Sequence, residues 1–159
     1  RAQLVQLGDR TILDDCYNAA PASMRAALDA LVEVTPSGHQ RIAVLGDMLE
    51  LGPDSARLHA EIGAYAAARL DHLITIGREA KHISAGAEAL GDRLFHTEEP
   101  RAAADEVRRV SYPGDVILVK ASRGMRLERV IDALAAGQGV GGTTGAILGT
   151  CTPGCSGST

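Results

Sequence analysis

The residues able to do chemistry in this chain fall in three short polar corners. The first is Asp14-Asp15-Cys16-Tyr17-Asn18, which follows the apolar pair Ile12-Leu13 and precedes Pro21. The second is Gly46-Asp47-Met48 and the third is Lys120-Ala121-Ser122-Arg123. Each stands between an apolar run and an amphipathic stretch, so each is read as a turn from strand into helix. In open α/β sheets ligands settle at the carboxyl ends of strands, near helix N-termini whose free N–H groups attract anions. The chemistry on offer is mixed. Asp14 and Asp15 suit ribose hydroxyls or a metal-bound water, Tyr17 and Asn18 suit ring contacts, and Lys120 and Arg123 suit anionic groups. Arg123, placed just before the last helix, can grip a carboxylate or phosphate through two parallel N–H bonds, helped by free backbone donors. Each residue also has a structural reading: Asp47 holds a turn, Tyr17 covers the core with its hydroxyl in water, and Lys120 and Arg123 are solvated helix-end charges.

The elements that must position these corners follow from periodicity. Residues 2–7 and 11–13 flank Gly8-Asp9-Arg10, which predicts an opening hairpin whose second strand ends at Leu13, with 14–20 as the turn. Pro21 suits the first turn of a helix, where a missing N–H costs nothing, and Met24, Leu28, Leu31 and Val32 form one apolar stripe along it. The run 41–45 is continuously apolar, as in strands covered on both faces. A helix through Leu58, Ile62, Tyr65 and Ala66 follows, then a strand over 72–76 and a helix with Ile83, Ala87 and Leu90 inward. A brief strand over 94–96, a helix from Pro100, a strand over 115–119 and a last helix through Leu127, Val130, Ile131 and Leu134 complete the pattern. This alternation predicts an α/β fold, a Rossmann-like three-layer sandwich whose mostly parallel sheet carries an antiparallel strand from the hairpin. The turns after its strands gather along one edge, which is the predicted site.

The chain has 159 residues, 45% hydrophobic and 23% charged, enough to bury a sizeable core in one domain. Its 16 basic and 20 acidic residues give a formal charge of -4, which argues against nucleic acid or an anionic membrane as a partner. No apolar run approaches the roughly 20 residues that span a bilayer, and no signal-peptide pattern opens the chain, so a cytoplasmic location is expected. Opening on Arg1, directly in a strand, predicts a piece of something longer. Cys16 is read as a small half-buried residue, and Cys151 and Cys155 form neither a disulfide framework nor a metal pattern. His59 is read as a packing or hydrogen-bonded histidine; His39, His72, His82 and His96 lack ligand spacing, so no metal site is expected. Residues 1–136 are assigned to the domain, and the Gly/Thr/Ser/Cys-rich 137–159 to a disordered or foreign tail. That tail holds Gly137-Gln138-Gly139-Val140-Gly141-Gly142, a G-x-G-x-x-G match without the strand-turn-helix context that gives the motif meaning, and no G-x-x-x-x-G-K-[ST] loop occurs anywhere.

Three blocks in order carry a resemblance to a known family. They are Asp14-Asp15-Cys16-Tyr17-Asn18-Ala19-Ala20-Pro21-Ala22-Ser23-Met24, Val44-Leu45-Gly46-Asp47-Met48-Leu49-Glu50-Leu51-Gly52 and Val119-Lys120-Ala121-Ser122-Arg123-Gly124-Met125. The first is similar to D-D-x-Y-N-A-N-P-x-S-M and the third to V-K-G-S-R-x-M of the Mur ligase family's C-terminal domain, in the MurF branch that adds D-alanyl-D-alanine to UDP-N-acetylmuramoyl-tripeptide. The match runs from about residue 1 to 134. The resemblance implies an enzyme that uses ATP and magnesium to make an acyl phosphate of the tripeptide, which the dipeptide amine then attacks. It implies nucleotide contacts from Asp14, Asp15, Tyr17 and Asn18, substrate contacts from Asp47, Ser122 and Arg123, and catalytic roles for Lys120 and Arg123. The phosphate loop, the magnesium ligands and the UDP-sugar-binding domain belong to parts of the family absent from this sequence, so no turnover by this chain alone is expected. Two positions depart from the pattern: Ala20 replaces an Asn, removing an amide from the nucleotide corner, and Ala121 replaces a Gly, adding a methyl where a ligand could need close approach.

Two rival readings remain. A phospho-receiver signalling domain would use Asp14-Asp15 as acidic pair, Asp47 as phospho-acceptor and Lys120 as its lysine, although the intervals fit poorly. A non-catalytic Rossmann-like interaction module would leave the corners without ligands.

Overall fold

The computed structural model describes residues 2–137. The tail, Cys151, Cys155 and the G-x-G-x-x-G match beyond Gly137 lie outside the described residues. Six strands, β1 (Gln3–Leu7), β2 (Arg10–Asp15), β3 (Arg41–Gly46), β4 (His72–Ile76), β5 (Leu94–Thr97) and β6 (Val116–Lys120), form one sheet in the order β1-β2-β6-β3-β4-β5. β1 pairs antiparallel with β2, and every other pairing is parallel. The helices are α1 (Pro21–Val34), α2 (Ser55–Ala67), α3 (Lys81–Gly86), α4 (Pro100–Val110) and α5 (Glu128–Ala136). Among the described residues no helix is long and apolar enough to cross a membrane.

The sheet alternates its side chains between two cores. Leu13, Ala43, Leu45 and Leu118 face α1, α2 and α3, whose Met24, Leu28, Ile62 and Ile83 are fully buried. Ile12, Ile42, Val44, Ile117 and Val119 face α4 and α5, which contribute Val107, Val130 and Leu134. Period two along each strand sends neighbouring residues to opposite faces. β6 is buried at all five positions, which is why it reads as an unbroken apolar run. The expected three-layer sandwich with its antiparallel hairpin strand is therefore what forms.

Local differences from the sequence reading have identifiable causes. Asp14 and Asp15 are the last two residues of β2 rather than the start of a loop, because Asp14 is paired on both sides, with Gln3 of β1 and Val119 of β6. Asp115 is not in β6. Its buried carboxylate accepts the backbone N–H groups of Gln40 (2.9 Å) and Tyr112 (2.7 Å) and the Gln40 amide (2.9 Å), closing the turn into the strand. The helix expected through Leu90 stops at Gly86; Ala87 leaves helical geometry and a 3-10 segment, Glu88–Arg93, carries Leu90 into the core.

Near its end α3 meets α2 backbone to backbone. A methyl on Gly63 of α2 would overlap the Ile83 carbonyl, and one on Gly86 would overlap the Ala60 carbonyl. Gly63→Ala gains about 1 kcal/mol of helix propensity but is expected to lose more through overpacking, with a net destabilisation of about 1–3 kcal/mol in urea denaturation.

Candidate functional site

The strand order decides where the corners meet. The chain leaves β2 for α1 on one face of the sheet and leaves β6 for α5 on the other, so the loops beyond these adjacent strands diverge. A crevice opens between them, at the kind of switch point where open α/β sheets bind ligands. β3 lies on the other side of β6. All three predicted corners are thus neighbours along one edge.

In the first corner, Asp14 Oδ1 accepts the Cys16 N–H at 3.2 Å, a local turn that ends the strand. Asp15 lies opposite Lys120 in the register. Lys120 is 1% exposed, and its Nζ donates to Asp15 Oδ2 at 2.5 Å and to the Asn18 carbonyl at 2.7 Å. Tyr17 projects outward at 64% exposure, and the Arg123 guanidinium lies 5.2 Å from its ring centroid, within cation–π range. Cys16 is half-buried with Sγ 3.7 Å from the Val119 carbonyl. Burial first, then the hydrogen bond and charge of Asp14, push its thiol well above the ordinary cysteine range, so it stays protonated.

In the third corner Ala121 turns into the α4/α5 core, while Ser122 and Lys120 turn the other way. The Ser122 N–H donates to the Asp47 carbonyl at 3.0 Å; its Oγ accepts the Leu49 N–H at 2.9 Å and donates to the Ala19 carbonyl at 3.4 Å. Arg123 is exposed, but it opens a 3-10 turn, Arg123–Met125, and α5 begins only at Glu128. The expectation that free donors of the last helix assist Arg123 is therefore corrected, since Arg126 in a left-handed conformation separates the two.

The second corner is built for support. Asp47 is 5% exposed, and its Oδ1 accepts the Ala80 N–H at 2.7 Å, tying the loop after β3 to the start of α3. His59 is fully buried; its Nε2 accepts the Met48 N–H at 3.0 Å, so the proton sits on Nδ1, which donates to the Ser55 carbonyl at 2.7 Å. It is the hydrogen-bonded packing histidine the sequence predicts.

A cleft of about 420 Å³ opens over the switch point, lined by Gln3, Asp14, Cys16, Tyr17, Arg123 and Glu128. On the α1 side of Tyr17 a recess of about 300 Å³ includes Asp15, Asn18, Ser23 and Lys120. Tyr17 stands between the two. The structure thus gathers Asp14, Asp15, Tyr17, Asn18, Lys120 and Arg123 along the cleft and the recess, whereas Ser122 and Asp47, bonded to each other through Ser122 N–H and the Asp47 carbonyl, line neither. Gln3 and Glu128 were missed by the sequence reading; Gln3 reaches the cleft only through its pairing with Asp14, and Glu128 through its place as first residue of α5. Among the described residues no group of three or more His, Cys, Asp and Glu side chains converges to hold a metal ion.

Comparison with known proteins decides the family. The family model described as Mur ligase, glutamate ligase domain, matches residues 1–123. The chain belongs to this Mur ligase domain family. The UDP-N-acetylmuramoyl-tripeptide–D-alanyl-D-alanine ligase of Bacillus subtilis is 39% identical over 127 residues, covering 78% of this chain and 28% of that protein. The Escherichia coli ligase of the same name is 36% identical over 134 residues, covering 82% and 28%. The crystal structure of MurF ligase from Thermotoga maritima in complex with ADP superposes with a TM-score of 0.73 at 29% identity, covering 84% of this chain and 30% of that one. The chain spans less than a third of the length of these relatives. The receiver reading is not favoured for this Mur ligase domain: Lys120 reaches Asp15 rather than Asp47, and Asp47 is buried on a backbone N–H.

Ala20, one of the two departures from the family pattern, is the N-cap of α1. It has no side-chain acceptor for the helix, and Ser23 Oγ supplies the reverse bond, accepting the Ala20 N–H at 2.9 Å. Its extended backbone already suits a capping side chain, so Ala20→Asn is expected to raise stability by about 1 kcal/mol, read as a higher thermal midpoint. For Cys16, peptide mapping after iodoacetamide treatment at pH 8.5 should show labelling in the native chain at less than about a tenth of the rate in urea, with the rate still rising above pH 10, because only the thiolate reacts.

Proposed function

We propose that this chain is the C-terminal domain of an ATP-dependent ligase that joins D-alanyl-D-alanine to UDP-N-acetylmuramoyl-tripeptide in cytoplasmic peptidoglycan-precursor synthesis. The observation that carries the reading is the cleft at the β2/β6 switch point, where an exposed Arg123 lies against Tyr17 and opposite Asp14, within a fold whose relatives bear that ligase name. In this reading the domain occupies residues 1–136, and 137–159 lie outside it.

In this reading the tripeptide carboxylate takes the γ-phosphoryl group of ATP to give an acyl phosphate as the bond to the β-phosphate breaks and ADP leaves; domains beyond this chain would hold most of the ATP, and magnesium would neutralise its phosphates. The dipeptide amine attacks the acyl carbon, the amide bond forms, and phosphate leaves with the carbon–oxygen bond electrons and takes up the proton the amine nitrogen loses. Asp14, Asp15, Tyr17 and Asn18 form the nucleotide side. Arg123 forms the acceptor side, gripping the dipeptide carboxylate, with Ser122 and Asp47 beneath it. Holding amine and acyl phosphate together removes translational freedom from the barrier, and closing the cleft excludes the water that would hydrolyse the intermediate. A carboxylate gripped by a guanidinium in such a cleft is worth about 1.5–3 kcal/mol, more than an exposed ion pair.

The test restores the missing domains. This chain, joined to the N-terminal and central domains of the Bacillus subtilis ligase, should release ADP only when D-alanyl-D-alanine is present. Arg123→Ala should then raise the KM for the dipeptide by roughly 10–100-fold with a smaller effect on the KM for ATP. A well-folded chimera that releases no ADP would favour the non-catalytic interaction module.

A further inference from the structure

We infer that Lys120 and Ser122 are positioning residues, which latch the corner after β2 to the end of β6 and act on substrates only through the backbone they hold. What that corner binds rests on the function proposed above. The latch itself rests on geometry alone.

Lys120 and Ser122 lie on the same side of the chain because Ala121, between them, turns into the opposite core. From that side they take two consecutive carbonyls of the neighbouring corner: Nζ of Lys120 donates to Asn18 O at 2.7 Å, and Oγ of Ser122 donates to Ala19 O at 3.4 Å. The ammonium is further committed to Asp15 at 2.5 Å, and the residue is only 1% exposed at the edge of the recess, so its position is set by protein groups. The hydroxyl is committed as well. Its one proton goes to Ala19 O, and it accepts the Leu49 N–H at 2.9 Å, which extends the latch to the corner after β3. A family-pattern lysine and serine beside a cleft invite direct roles, such as neutralising a developing charge or binding the acceptor. Two of the three Lys120 N–H donors and the one Ser122 proton are instead spent inside the protein. The groups left for ligands stand on the rim: Tyr17, whose backbone lies next to the held carbonyls, and Arg123, one residue past Ser122.

Hydrogen exchange of the whole chain tests the latch without any substrate. In Lys120→Met the amides of Cys16 and Ala20, both hydrogen-bonded in the corner, should exchange about tenfold faster or more, while amides in β4 and α4 keep their protection. In Ser122→Ala the Leu49 amide, which loses its acceptor, should do the same. Unchanged exchange at these amides in both variants would overturn the inference. Should Lys120→Met fail to fold because it strands the Asp15 carboxylate, Asp15→Asn/Lys120→Met removes both charges and is read by the same exchange. Kinetics in the chimera separate positioning from contact. Lys120→Met should raise the KM for ATP by about tenfold and leave that for the dipeptide within about twofold, whereas a fall in kcat alone or a rise in the dipeptide KM alone would overturn it. An inactive wild-type chimera would sink the proposed function and leave the exchange result to decide the latch.

Discussion

A charged amine at the end of a strand buried on both faces is the constraint on which this edge of the molecule depends. β6 carries Lys120 into a layer where an unpartnered ammonium would cost several kcal/mol, and the position is tolerable only because a carboxylate and a carbonyl meet it there. That requirement fixes the register of β2 against β6, since Asp15 must lie opposite Lys120. A one-residue slip would also send Ile12 and Leu13 to the wrong cores. The apolar pattern and the ion pair therefore demand the same alignment, and the β2 corner emerges at one height relative to β6. Because β6 is the last strand in sequence but lies third in the sheet, this alignment joins residues more than a hundred positions apart.

The same edge shows a division of labour by burial. Asp47, His59, Lys120 and Ser122 are polar and buried, and each meets a backbone N–H or carbonyl in a different element. Among the described residues no buried side-chain nitrogen or oxygen lacks a hydrogen-bond partner. Groups satisfied in this way hold loops, and loops held from below can present exposed side chains in a set geometry. Tyr17 and Arg123 are those side chains. Polar groups beneath a cleft are thus a part of its precision even where they never touch what it binds.

How much of this was legible in the sequence depended on whether a signal was local. The continuous runs of β3 and β6 and the Pro21 start of α1 are read directly, because burial on both faces and the fixed φ of proline leave their mark within a few residues. The gathering of the three corners also followed, since any parallel sheet with crossover helices places those turns on one edge. What was not legible came from contacts between distant segments. The close approach of α3 to α2 depends on Gly63 and Gly86 far apart in the chain, the place of Asp14 inside β2 depends on two partner strands, and the exclusion of Asp115 from β6 depends on Gln40. The side on which Lys120 and Ser122 work was hidden for the same reason. Three family-like blocks named the family, which periodicity alone could not do, but they did not say which of their polar residues face a ligand.

Ala121 shows why direction matters more than position at such a site. Placed between two corner residues and standing where the family pattern has glycine, its methyl reads in the sequence as an obstacle to close approach by a ligand. In the fold the methyl is fully buried and packs among the residues beneath α4 and α5. The room for it comes from the neighbouring strand, where Gly46 lacks a side chain and a Cβ there would lie 2.6 Å from that of Ala121. One methyl is accommodated between the two positions, and a second would overpack the end of the sheet. The substitution is therefore a matter of core volume, matched by Gly46 across the β3/β6 pair, and it leaves the rim formed by Tyr17 and Arg123 untouched.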